Sequence, residues 1–251
     1  MESSVLAVSN MKTVSIVIPA YNEEKFIGKL LELIEGVPTE TLGYRKEIIV
    51  VDDGSKDRTF EIASSHQDVR VFKQVPNQGK GAAVQRGVRE CQGDYVLVQD
   101  ADLEYDPQDY LTMLKALNDH PGTAIYGSRT WGQVQARGWF QPFPGKHQEQ
   151  GIGPWTAGAV LSGWTFILYG RWISDTLTAY KIYPTSFLRG LKVETCGFET
   201  DHELTSRLIR ARIPIIEVPI RYIPRGVQEG KKITAKDGVK AVWTLLKYRI
   251  V

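Results

Sequence analysis

Tyr95-Val96-Leu97-Val98-Gln99-Asp100-Ala101-Asp102 is a short apolar run that ends in two carboxylates. It is too short for a buried helix and rich in β-branched and aromatic side chains, so it reads as a strand covered on both faces. Two earlier runs share the pattern. Val14 to Pro19 ends in the turn Ala20-Tyr21-Asn22, and Glu47 to Val51 ends in Asp52-Asp53-Gly54. Val69 to Phe72 and Ala124 to Gly127 are predicted as further strands. Helical patterns separate them. Phe26, Ile27, Leu30, Leu31 and Ile34 share one face; Asp57 caps the next helix; Gly79-Lys80-Gly81 opens one running to about Cys91; another spans Asp109 to His120. Strand and helix alternating at this spacing predict an α/β fold with a mostly parallel sheet flanked by helices. Such sheets bind ligands beyond the carboxyl ends of their strands, where all three polar turns fall.

The second half is less regular. Trp131 to Trp172 is rich in Gly, Trp and Phe. Within it, the uncharged run Gln150 to Gly170 is about long enough to cross a bilayer. Gly153, Pro154, Gly158, Ser162 and Gly163 interrupt it, so it reads as a segment lying against something. A helix is expected over Leu204 to Ala211 and a strand over Ile215 to Pro219. The last helix, Ala235 to Tyr248, sets Val239, Val242, Trp243 and Leu246 on one side, with Lys236, Lys240 and Lys247 elsewhere.

Composition excludes several classes. The chain has 251 residues, 42% hydrophobic and 24% charged, which is globular rather than disordered. A net charge of +2 gives no electrostatic case for a nucleic-acid partner. Cys91 and Cys196 form neither a CxxC pair nor a disulfide framework, which predicts a reducing, cytoplasmic setting. The N-terminus shows no charged-then-apolar leader pattern. His66, His120, His147 and His202 are scattered, so no zinc site is predicted. There is no G-x-S-x-G elbow and no dinucleotide fingerprint, and no Gly-Lys pair is followed by Ser or Thr.

The candidate chemistry concentrates at the strand ends. Asp100 and Asp102, two apart on one loop, are hard oxygen donors that suit Mg2+ or Mn2+, and Glu104 is a third ligand or a neighbouring acceptor. The bare Asp-x-Asp pattern also occurs in solvated turns; its place after a buried strand is what favours the metal. Such an ion would bridge a nucleoside diphosphate and offset the charge that builds as it leaves. Asp52 suits hydrogen bonds from a base or ribose, or alternatively an Asx-turn. Gly79-Lys80-Gly81 offers backbone N–H groups and a cation to an anion. Arg225, Lys231 and Lys232 lie in a Gly-containing loop that either closes over phosphates or is a solvated charge run. Asp201 is either a helix cap or a carboxylate facing an acceptor.

Taken in order, Val17-Ile18-Pro19-Ala20-Tyr21-Asn22-Glu23-Glu24, Ile49-Val50-Val51-Asp52-Asp53-Gly54-Ser55, Asn77-Gln78-Gly79-Lys80-Gly81 and Gln99-Asp100-Ala101-Asp102 resemble the family 2 glycosyltransferases of the GT-A fold. The match runs from about Thr13 to Arg129. Gly127-Ser128-Arg129, Asp175-Thr176-Leu177-Thr178-Ala179-Tyr180-Lys181, Gly197-Phe198-Glu199 and the stretch from Val218 through Arg225 to Ile233 look like the dolichol-phosphate mannose synthase and polyprenyl-phosphate glycosyltransferase branch. The resemblance implies a GT-A domain over 13–225, with a nucleotide-sugar half at 13–129 and an acceptor half at 130–225. A tail at 1–12 precedes it, and a basic loop with an amphipathic helix at 226–251 follows.

By the same resemblance Pro19, Ala20, Tyr21, Glu23 and Asp52 hold the nucleoside, with Lys80, Asp100 and Ala101 beside the donor. Asp100, Asp102 and Glu104 hold the metal, and Arg225 and Lys231 clamp the diphosphate. Arg129 and Arg137 are left for the acceptor phosphate. The mannose synthases carry a basic, Ser-containing stretch after Gly-Ser-Arg, whereas Trp131 to Gly138 has one arginine, Arg137.

The expected reaction is inverting transfer of a sugar from a nucleoside diphosphate donor, GDP-mannose or a UDP-sugar, to a polyprenyl or dolichyl phosphate on the cytoplasmic face of a membrane. A phosphate acceptor arrives ionised and needs no strong base. A hydroxyl acceptor needs one, and Asp201, then Asp175, are the candidates. Two other readings stay open: a family 2 enzyme acting on a soluble acceptor, and a nucleotidyltransferase, which would release pyrophosphate.

Overall fold

The computed structural model describes residues 11–137, 152–223 and 235–251. The apolar runs form strands, in chain order β1 (Lys12–Ala20), β2 (Tyr44–Asp52), β3 (Val69–Lys73), β4 (Tyr95–Val98), β5 (Ala124–Ser128), β6 (Lys181–Pro184) and β7 (Ile215–Pro219). They make one seven-stranded sheet in the order β3-β2-β1-β4-β6-β5-β7. Every pairing is parallel except the two made by β6, which runs antiparallel between β4 and β5.

The pleat sorts side chains between two cores. Ile16 and Ile18 of β1, Val50 of β2 and Leu97 of β4 face one way, onto α1 (Ile27–Glu35) and α4 (Asp109–Asp119). Val17, Ile49, Val51, Val96 and Val98 face the other way, onto α3 (Lys80–Glu90), α7 (Thr185–Arg189) and α8 (Thr200–Arg210). The short helix α2 (Thr59–Ser64) lies between β2 and β3. Asp57 does the work expected of a cap: its carboxylate accepts from the Thr59 N–H at 3.0 Å, although the helix proper begins two residues later.

The second half is more ordered than its sequence suggested. Arg129–Arg137 forms α5, Ile152–Tyr169 forms α6, and Ala235–Ile250 forms α9. Helices α6 and α9 meet through Leu161, Ala241 and Leu245. Tyr169 Oη donates to the Leu245 carbonyl at 2.7 Å, and Trp164 Nε1 to that of Val242 at 3.2 Å. Only part of the expected apolar side of α9 packs: Val242 lies against the α6 contact and Leu246 is half-buried. Ala241, Leu245 and Tyr248 are buried, whereas Val239 and Trp243 are 71% and 63% exposed. A helix apolar over more than half its circumference buries only the stripe its partner reaches. Among the described residues no helix is long and apolar enough to cross a membrane.

Candidate functional site

Because β6 reverses direction, its first residue, Lys181, lies opposite Val98 at the end of β4. The carboxyl ends of β1, β2, β4, β5 and β7 and the start of β6 therefore share one edge of the sheet. The chain leaves β1 in one direction to β2 and in the other to β4, which opens a crevice there.

The turns after β1 and β2 are laced together. Asn22 has φ +54° and donates its backbone N–H to Ser55 Oγ at 2.9 Å, while its side-chain oxygen accepts from Lys56 N–H at 2.9 Å. Glu23 is anchored by its N–H to Thr59 Oγ1 at 2.8 Å. Asp53 N–H donates to the carbonyl of Ala20 at 2.8 Å, tying β2 to the end of β1 beyond Pro19 and before Tyr21. Asp52 is fully buried; its Oδ1 accepts from Ser55 N–H at 3.3 Å, and its Oδ2 has no protein hydrogen-bond partner. A buried carboxylate oxygen left so is a standing acceptor for a ligand N–H or O–H.

Asp53, which the sequence did not single out, organises the next segment. Its carboxylate accepts the N–H groups of Gln78 and Gly79, both at 2.8 Å, and so sets the entry to α3. At Gly81 an added Cβ would lie 2.0 Å from Thr200 Oγ1 and 2.8 Å from the Cys196 carbonyl carbon, so the loop before α8 rests on bare backbone. This packing delivers Lys80 to Asp100 Oδ1 at 2.5 Å. Burial opposes the Lys80 charge, but Asp100 and then Asp201 outweigh it and hold its pKa above the ordinary lysine value.

Asp100, Asp102 and Glu104 share the loop after β4, on which Ala101 is buried. Asp102 Oδ1 accepts from Glu104 N–H at 3.1 Å across Leu103, whose φ is +60°. The three carboxylates do not converge: Asp100 is turned to Lys80, and Glu104 accepts from Tyr222 Oη at 2.8 Å. Among the described residues no group of three or more ligand side chains is placed to hold a metal ion. The carboxylate oxygens are of the chemical kind that suits a hard divalent cation.

Beyond β4 the site is built of paired charges. Arg129, first residue of α5, grips Asp175 through Nε to Oδ2 at 2.7 Å and Nη2 to Oδ1 at 2.8 Å, and lies over the Tyr222 ring at 4.9 Å. Asp175 is itself held from β7, since Glu217 accepts from Ser174 N–H at 2.9 Å and Ser174 Oγ at 2.6 Å. Burial raises the Asp175 pKa, but Arg129 more than reverses this and leaves it below the ordinary carboxylate value. Asp201, in the first turn of α8, accepts from Lys181 Nζ at 3.2 Å. Lys181 and Lys80 likewise overcome its burial and depress its pKa.

The structure thus gathers Ala20, Asp52, Lys80, Asp100, Asp102, Glu104, Arg129, Asp175 and Asp201 along one edge. Arg137 closes α5, and its side chain lies outside the described residues, as do Arg225 and Lys231. Sequence reasoning passed over Lys181, Glu217 and Tyr222 as site groups. A lysine inside the apolar stretch Ala179 to Tyr183 was a usable signal; nothing local marks the other two.

The chain is similar to known proteins in sequence and in fold. The model of glycosyl transferase family 2 matches residues 15–168. A dolichol-phosphate mannosyltransferase of Pyrococcus furiosus is 30% identical over 94% of this chain, which spans 64% of that protein's length. A dolichyl-phosphate beta-glucosyltransferase of Trichomonas vaginalis is 29% identical over 94% of this chain and 72% of its own. Among solved structures, a glucosyl-3-phosphoglycerate synthase of Mycobacterium tuberculosis, in complex with Mn2+, uridine diphosphate and phosphoglyceric acid, superposes with a TM-score of 0.69. It covers 99% of this chain and 82% of its own at 22% identity, a likeness of fold. The chain belongs to glycosyl transferase family 2 and is a glycosyltransferase of the GT-A fold.

Proposed function

We propose that the protein transfers a hexosyl group from a nucleoside diphosphate sugar to a polyprenyl phosphate at a membrane surface. The observation that carries the acceptor is the engagement of both candidate bases. Asp175 is bound by Arg129 and Asp201 by Lys181, and both pKa values are depressed. A carboxylate held ionised by a buried cation is a weak base, poorly matched to activating a hydroxyl. A lipid phosphate brings its own charge and needs no base, and Arg129, beside Asp175, is the residue we assign to it. The names of the relatives, transferases of dolichol and dolichyl phosphate, support the same class.

On the donor side, Asp52 Oδ2 accepts from the base or ribose, and Pro19, Ala20, Tyr21 and Glu23 wall that end of the crevice. Asp102, with Asp100 and Glu104 beside it, would hold Mg2+ or Mn2+, which would supply positive charge opposite a diphosphate leaving group. Lys80 carries positive charge to the same place. Arg225 and Lys231 are assigned to the diphosphate on sequence grounds.

The acceptor's lipid suits the outer side of α6 and α9. Val160, Phe166 and Ile167 of α6, Val239 and Trp243 of α9, and Trp172 just beyond α6 are all more than half exposed. Large apolar side chains on two packed helices, with Lys236, Lys240 and Arg249 on α9, fit a peripheral surface resting at lipid headgroups.

Product analysis tests the reading. UDP- and GDP-sugars are incubated with Mn2+ and a polyprenyl phosphate, in parallel with free sugars as acceptors. Release of nucleoside diphosphate with a glycosylated lipid phosphate is expected. Transfer to free sugars alone would establish the soluble-acceptor reading, and pyrophosphate release would establish nucleotidyl transfer.

A further inference from the structure

Lys181 is the first residue of a strand whose next two side chains, Ile182 and Tyr183, are fully buried, and it is itself 0% exposed. A lysine ammonium removed from water is costly and needs partners that offset the loss. Nothing in the proposed reaction calls on it directly. Its Nζ donates to Asp201 Oδ1 at 3.2 Å and to the Thr176 carbonyl at 3.4 Å, and lies over the Tyr126 ring at 4.8 Å.

These contacts reach both sides of the crevice. Asp201, 22% exposed where Lys181 is closed off, shares the crevice with Lys80 and hence with Asp100. Thr176 follows Asp175, the carboxylate that grips Arg129. Charges alternate from the donor edge to the acceptor edge: Asp100, Lys80, Asp201, Lys181, Asp175, Arg129. Burial lowers the Lys181 pKa, and Asp201 and then Asp175 oppose that shift. A purely structural ion pair accounts for the contact with Asp201. It does not account for a second arm on the backbone beside Asp175, or for a pair that shows only its carboxylate to the ligand space.

We infer that Lys181 is a positioning residue: from beneath the crevice it holds the Asp201 carboxylate toward the donor and the Thr176 segment toward the acceptor arginine, touching neither substrate. The inference rests on the crevice being the transfer site proposed above. Its test uses the full chain as Lys181→Met, Asp201→Asn and the double variant; methionine keeps the stem and removes the charge. Initial rates with nucleotide sugar and polyprenyl phosphate give kcat and both KM values. Lys181→Met should lower kcat at least about tenfold, and the double variant should lose clearly less than the product of the two single losses, because one of the two arms acts through the Asp201 carboxylate. Wild-type kinetics in a folded Lys181→Met protein, or losses that multiply in the double variant, would overturn the inference.

If Lys181→Met does not fold, the double variant, which leaves no charge of the pair unmatched, should match Asp201→Asn in nucleotide-sugar KM, with any further loss confined to the acceptor; a further loss on the donor side counts against the role. Calorimetry with Mn2+ separates this from the proposed function. Lys181→Met should weaken UDP-glucose or GDP-mannose about tenfold while UDP and GDP change less than about threefold. Equal affinities in variant and wild type refute the positioning role whatever the acceptor. A wild type inactive on lipid phosphate refutes the acceptor assignment alone.

Discussion

The hydroxyl of Tyr222 donates to the carboxylate of Glu104 at 2.8 Å, joining the segment after β7 to the loop that bears Asp100 and Asp102. The same ring lies under Arg129. Tyr222→Phe keeps the ring and loses the hydrogen bond, and should cost about 1–2 kcal/mol of unfolding free energy in a denaturant titration. Tyr222→Leu also removes the aromatic face from Arg129 and should cost more and raise the KM for lipid phosphate. Equal stabilities of the three proteins would show that this junction carries no energy.

Asp102→Asn leaves the fold in place and removes one hard oxygen from the loop. Turnover should fall at least about a hundredfold, and Mn2+ should no longer strengthen binding of the nucleoside diphosphate. Near-normal activity of the folded variant would remove Asp102 from the metal site.

Stability should respond to acid in two stages. His202 is buried, and its pKa is lowered by burial and then by Lys181. The unfolded chain therefore takes up a proton that the folded protein refuses. Between the ordinary value of 6.5 and the folded value of about 4, stability should fall by roughly 3 kcal/mol as pH drops. Asp175 and Asp201 have depressed values, so their contribution is complete above about 3.8 and is lost only as pH falls through the folded values below it. Urea titrations of wild type and His202→Gln from pH 7 down to about pH 2 check this: the variant should lose the upper slope and keep the lower one.

Binding to anionic vesicles should weaken with salt and with the double change Ile167→Glu and Trp243→Glu, two side chains 72% and 63% exposed. Co-sedimentation reads both effects. A wild type that stays wholly in the supernatant at low salt would remove the membrane from the proposal.

Most of the sheet could be read from the sequence because its strands are buried on both faces and stand as unbroken β-branched runs bounded by Gly and Asp. Lys181–Pro184 escaped because it is four residues long and opens on a charge, so neither period nor composition marks it. Helix α6 escaped because apolar residues on all sides leave no amphipathic stripe to detect. In the site, Asp52, Asp100 and Asp102 were legible from their place at strand ends. Pairings such as Arg129 with Asp175, or Tyr222 with Glu104, join residues far apart in the chain and depend on the tertiary order. That order also explains why three carboxylates on one loop do not form a cluster: two of them are drawn off by partners that no local pattern reveals.

The antiparallel strand has a consequence for how the chain can be made. Val98 of β4 finds its outer neighbour only in Lys181 of β6, far downstream. While the polypeptide is being synthesised, that edge stays open until β6 has left the ribosome, and an open strand edge invites pairing with other chains. A fragment cut after Arg129 would contain β1 to β5 and yet expose the same edge for good. The first 129 residues are therefore not a portable module: grafting or expressing them alone should yield aggregates unless a surrogate strand is supplied beside β4.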